Sequence, residues 1–156
     1  MFKVAALLFA ALLTSQTVKN PKLSAADLAA AKAETESAGG SDAELVYANR
    51  LDALEKGKFD SLALYYLKPK AGGPVYFGEI VTDGGAKYPL KVDKSGQVLP
   101  TGDRFLRMGL KYEEGKAPLL RVMGAGTQQQ HNFDFRFSGT EFTLVDRSQV
   151  PLATNH

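Results

Sequence analysis

The sequence contains no cysteine and no tryptophan, and it has only two histidines among 156 residues. Without cysteine the chain forms no disulfide, no thiolate metal site and no thiol nucleophile, and it offers no cysteine for a lipid anchor. No Asn-x-Ser/Thr glycosylation acceptor is present either. Exported proteins that fold without disulfides are ordinary in a bacterial envelope, so these absences favour a bacterial protein. No motif indicates a metal site or a cofactor, and we predict neither.

An excess of charge of one sign is also missing. The 19 basic and 17 acidic residues give a formal net charge of +2. Nucleic-acid-binding domains and proteins that bind acidic membranes carry a much larger positive bias. We therefore expect no nucleic-acid partner.

The N-terminus has the order of basic, apolar and polar segments that is typical of a secretory signal peptide. Lys3 supplies a positive charge, Val4 to Leu13 are all apolar, and a polar segment follows. This apolar run is about half of the roughly 20 residues that a membrane-spanning helix needs. We predict a signal peptide over residues 1–17 with cleavage near Val18, and 24–26 is a later candidate site. The mature chain would lose one lysine and no acid, carry a net charge of +1, keep no stable membrane anchor, and be periplasmic or secreted.

Two helices are predicted ahead of the strands. Ser24 is an N-cap before an alanine-rich stretch that ends at Gly39-Gly40. Because alanine buries little area, residues 18–40 are interpreted as a linker and a mobile helical arm. A capping box at 41–44 predicts a second helix up to Gly57, supported by apolar residues at helical spacing: Tyr47, Ala48, Leu51 and Leu54.

From Ser61 onward the pattern changes to short runs rich in β-branched, aromatic or leucine residues, which predict strands. There are seven: Ser61–Leu67, Val75–Val81, Lys87–Val92, Arg104–Lys111, Leu119–Met123, Phe133–Phe137 and Phe142–Val145. Glycine-containing turns separate most of them, as hairpins require. The run 133–137 alternates three rings with an acid and a base, which predicts one buried and one wet face. We assign residues 41–150 to a single domain and 151–156 to a C-terminal tail.

Successive strands joined by short turns predict an antiparallel meander. The fold class is α+β, mainly antiparallel β, with one or two N-terminal helices before a seven-strand meander that forms a curved sheet or partly open barrel. A two-layer β-sandwich is the alternative. By analogy, helices ahead of a bent sheet resemble the cone-shaped NTF2-like architecture, whose concave side often forms a pocket.

Candidate catalytic residues are few. His156 lies in the C-terminal tail, whereas His131 lies three residues before Asp134, so that an imidazole and a carboxylate could meet near one sheet end as an acid-base pair. The nearby Gly124-Ala125-Gly126 has Gln129 where a dinucleotide fingerprint needs its third glycine, and it is interpreted as a flexible loop.

Two functions follow from this sequence. The first is an exported, non-catalytic binding or structural module that uses a sheet surface or a shallow pocket to hold an envelope protein or a small ligand. The alternative is a small pocket enzyme of the bent-sheet, NTF2-like type with His131 and Asp134 as its acid-base groups. No motif identifies the ligand or the substrate.

Overall fold

The computed structural model describes residues 22–99 and 102–152, which form one helix and eight antiparallel strands. The predicted signal peptide (1–17), its cleavage site and His156 lie outside the described residues. Within the described ranges, no helix is both long and apolar enough to cross a membrane. The elements are α1 (Ala25–Gly39), β1 (Glu44–Leu51), β2 (Ser61–Lys68), β3 (Val75–Thr82), β4 (Lys87–Leu90), β5 (Arg104–Lys111), β6 (Leu119–Ala125), β7 (Gln129–Phe137) and β8 (Phe142–Pro151).

The strands form two sheets of four, with β1 to β4 in one and β5 to β8 in the other, each in simple chain order. All seven predicted strands are present, as β2 to β8, and the mainly antiparallel α+β class is confirmed. The single curved sheet or barrel of seven strands is wrong, and so is the NTF2-like analogy. The reason is that β4 and β5, which follow each other in the chain, belong to different sheets instead of forming a hairpin.

The eighth strand, β1, occupies the place of the predicted second helix. It pairs antiparallel with β2 and contains a β-bulge between Leu45 and Tyr47. The bulge inserts one extra residue, so the strict alternation of a strand is broken. Tyr47 and Leu51 therefore face one hydrophobic cluster while Leu45 and Ala48 face another. Apolar positions spaced in this way imitate the periodicity of an amphipathic helix.

The two sheets pack face to face around one hydrophobic core. The cluster takes side chains from both sheets, including the fully buried Tyr65 and Phe135. Aromatic rings meet across the layers: the centroids of Tyr65 and Phe105 are 4.3 Å apart, and those of Tyr88 and Phe137 are 4.9 Å apart. Each fully buried large side chain contributes roughly 1.5–3 kcal/mol. Two sheets packed in this way form the two-layer arrangement that was the alternative to a single curved sheet.

Helix α1 lies on the outer face of the first sheet. Its N-terminus is fixed by the predicted Ser24, which forms a capping box with Asp27. Ala31 packs in a cluster with Leu62 and Leu64 of β2. A side chain on Gly39 would come within 2.5 Å of the Ala43 Cβ, so the small residues allow the helix to approach the neighbouring chain closely. In the described part of the chain no helix covers the second sheet.

Candidate functional site

The two residues predicted as an acid-base pair do not meet. His131 and Asp134 are three residues apart on β7, and side chains of a strand alternate between faces, so they lie on opposite sides of the sheet. Asp134 accepts two hydrogen bonds from Arg121 of β6, from Nε at 2.7 Å and from Nη2 at 2.8 Å. The carboxylate is thus held on the outer face, away from the imidazole, and the catalytic role of the two residues stays a prediction.

His131 contacts a different carboxylate. Its Nδ1 lies 2.5 Å from Oδ2 of Asp103, a residue 7% exposed that directly precedes β5. An ionised carboxylate only accepts hydrogen bonds, so we assign the proton of the neutral ring to Nδ1. Nε2 then carries the lone pair, and within the part of the chain that the structure describes it has no hydrogen-bond partner, so it can accept from a ligand or another proton donor.

The glycines beside this pair are required by close packing. A Cβ on Gly126 would lie 3.3 Å from Oδ1 of Asp103 and 3.3 Å from Cε1 of His131. On Gly124 it would lie 2.9 Å from a methyl of Leu99. The interpretation of 124–126 as a flexible loop is therefore wrong, because Gly124 and Ala125 belong to β6 and Gly126 makes room for the histidine and its acid.

A pocket of about 300 Å³ opens next to His131. It lies over three paired positions of β7 and β8, and its walls are His131, Asn132, Phe133, Arg147, Ser148 and Gln149. The neighbouring strand of the first sheet, β4, meets the start of β8 through the rings of Tyr88 and Phe142 and ends at Leu90. Because β8 continues to Pro151, its second half extends beyond β4 and borders the pocket.

The pocket combines a cation with an aromatic ring. The guanidinium of Arg147 lies over the ring of Phe133, 5.3 Å from its centroid. In the described residues Arg147 makes no salt bridge within 4.0 Å. Asp93 has a lowered pKa, but hydrogen bonds from Ser95 are the largest cause and the charge of Arg147 is the smallest. The positive charge of Arg147 is therefore available to a ligand. The His131 imidazole and the Gln149 carboxamide line the same pocket.

Several residues of the site were missed by sequence reasoning. Asp103 is 28 residues from His131, so no local spacing could join them. Phe133 was assigned to the buried face, and Arg147 and Gln149 lie in the part of β8 beyond the predicted strand. The one usable signal was the pair of glycines at 124 and 126, since glycine in a strand often marks a close approach.

No family model matches this chain, and no curated protein or solved structure matches it either. Within 22–99 and 102–152, no three or more His, Asp or Glu side chains converge in a way that could hold a metal ion.

Proposed function

We propose that the protein is an exported, non-catalytic binding module that holds a small anionic ligand in the pocket over β7 and β8. The observation that carries this proposal is the position of Arg147. Its guanidinium lies over Phe133 at the pocket wall and has no ion-pair partner in the described part of the chain. His131, held through Nδ1 by Asp103, borders the same space.

The chemistry of the walls limits the class of ligand. Arginine binds the two oxygens of a carboxylate or a phosphate with its planar fork. Phe133 is only 2% exposed, so its ring supports the guanidinium from beneath and leaves the opposite side of Arg147 to the anion. A volume of about 300 Å³ is at the lower end of small-molecule sites. A small carboxylate with a short body fits these walls best.

Benzoate is a suitable first probe because it carries one carboxylate on one ring. The melting temperature of the mature chain should rise progressively with benzoate concentration, as expected for a ligand that binds only the folded state. Benzyl alcohol, which has the ring without the charge, should have little effect. N-terminal sequencing of the exported chain would test the cleavage site near Val18 in the same preparation.

Arg147→Gln should abolish the benzoate effect, because it removes the cation and keeps a polar side chain of moderate size. The matched control is Arg107→Gln, which removes an exposed arginine from β5, outside the pocket. This variant should respond as the parent does. A flat response to benzoate, acetate and phosphate, or a response that survives Arg147→Gln, would count against the proposal.

The second candidate is the small pocket enzyme, and the contact between His131 and Asp103 favours it. In this version Asp103, instead of Asp134, orients the imidazole, and Nε2 acts as a general base toward a bound hydroxyl or water. With a chromogenic ester as substrate, His131→Ala should abolish turnover at a temperature at which circular dichroism shows that the variant is still folded. Turnover that is retained in this variant ends the enzyme hypothesis.

A further inference from the structure

A pair of carboxyl groups lies buried between α1 and the first sheet. Glu34 belongs to the helix and its side chain is 13% exposed, and Glu79 belongs to β3 and is 7% exposed. Lys87 of β4 forms a salt bridge with Oε2 of Glu34 at 2.7 Å. The other oxygen of Glu34 and Oε1 of Glu79 are buried without a hydrogen-bond partner. Each carboxyl group thus has one buried oxygen that no donor of residues 22–99 and 102–152 satisfies.

Two ionised carboxylates cannot satisfy each other, because both only accept hydrogen bonds. A proton on one of them changes this, since the resulting O–H can donate to its neighbour. Burial, followed by a hydrogen bond to Glu34 and the charge of Glu34, raises the pKa of Glu79 to about 7, and Lys87 opposes this rise. Geometry places the two groups together independently: Ile80 points into the core between the sheets, so the neighbouring Glu79 lies on the outer face of β3, where α1 packs.

The groups that face this pair come from each strand beneath the helix. Tyr66 of β2 is buried beside both glutamates, and burial followed by their charges raises its pKa to about 12. Lys87 is the cation from β4. The cation of β1, Arg50, is engaged by Asp27 of the helix at 2.7 Å and by Asp83 at 3.0 Å. Among the described residues, Lys87 is thus the one cation that forms a salt bridge with either acid.

We propose that Glu34 and Glu79 share a single proton when α1 is docked, and that loss of this proton releases α1 from the first sheet. The helix depends on this contact because its buried residues are small: Ala31, Thr35 and Gly39. Its release uncovers the apolar outer face of the sheet, formed by Leu45, Ala48, Leu62 and Leu64. We call this proton-dependent contact between Glu34 and Glu79 the latch. It is independent of the pocket over β7 and β8.

The absence of cysteine makes the latch directly measurable. Thr35→Cys places one thiol of similar size on the buried face of the helix, and Ser37→Cys places one on its exposed face. The rate of maleimide labelling at position 35 divided by that at position 37 cancels the intrinsic pH dependence of the reagent. Between pH 5 and pH 8 this ratio should rise about tenfold or more, since a group that binds its proton more tightly in the docked state opposes docking once the proton leaves.

The variant Glu79→Gln distinguishes the effect of the shared proton on the labelling ratio from other effects of pH. Its amide donates a hydrogen bond to Glu34 at every pH, so the labelling ratio should stay low and flat in this background. A flat ratio in the parent, or an equal rise in Glu79→Gln, would overturn the proposal. So would a simultaneous loss of the near-ultraviolet circular dichroism of the tyrosines, which would mean global unfolding. Hydrogen exchange of residues 25–39 in the unmodified chain gives the same readout if Thr35→Cys does not fold.

Discussion

Arg121 and Asp134 are direct partners on neighbouring strands, yet their surroundings differ sharply. The side chain of Arg121 is 41% exposed and that of Asp134 is 4% exposed. The sequence correctly predicted that Asp134 and Arg136 lie opposite the rings of β7. It could not show that Asp134 is buried, because Arg121, which covers it, comes from another strand.

This difference predicts unequal effects of removing either partner. Arg121→Gln leaves a buried carboxylate without its cation and should reduce the free energy of unfolding by about 3 kcal/mol. Asp134→Asn leaves a half-exposed guanidinium that water can solvate, and should cost about 1 kcal/mol. Urea unfolding of both variants at neutral pH measures the two losses. Equal losses would contradict this account of the pair.

At the scale of elements, every edge strand carries a feature that hinders pairing with another sheet. Strands β1, β5 and β8 contain bulges, and β4 contains Pro89, which has no N–H to donate. The bulged residues, Val46, Leu106 and Val145, are large, apolar and exposed. In β1 the bulge also hid the strand from sequence analysis, since it shifted apolar residues into helical spacing.

Docking of α1 should make stability depend on pH through Glu79. Its pKa rises from 4.5 to about 7 on folding, so the folded state binds this proton more tightly than the unfolded state does. The resulting stability is fully present below about pH 4.5, falls as the pH rises to about 7, and then stays constant. At about 1.4 kcal/mol per pKa unit, the loss is up to roughly 3 kcal/mol.

Chemical unfolding of the parent and of Glu79→Gln at pH 5 and pH 8 tests this slope. Other acids titrate in both proteins, so the informative quantity is the difference between the two free energies of unfolding. From pH 5 to pH 8 the parent should lose more stability than Glu79→Gln does, so the stability of the variant relative to the parent should increase. If both proteins lose the same amount of stability, Glu79 does not hold the helix.

For the whole molecule, local signals predicted the strands but not how they divide between two sheets. Most hairpins were marked by glycine turns, such as those at Gly85 and Gly139, which adopt positive φ angles. The connection through 91–103 resembled one more turn in the sequence. In the structure its Val98 and Leu99 are fully buried in the shared core, and Leu99 packs against Gly124 of the second sheet. A partition that depends on such distant contacts leaves no local pattern in the sequence.

This shared core predicts that both sheets unfold together. The chain has no tryptophan, and five of its six tyrosines lie in the first sheet, with Tyr112 the exception just after β5. Tyrosine fluorescence therefore reports mainly on the first sheet, whereas far-ultraviolet circular dichroism reports on both. In a urea titration the two signals should have the same midpoint, as expected for one cooperative domain. Val98 packs against Gly78 of the first sheet and Leu99 against Gly124 of the second, and both belong to the shared core. Leu99→Ala should therefore lower both midpoints equally and reduce the free energy of unfolding by about 3 kcal/mol. Two separate transitions would mean that each meander has a core of its own.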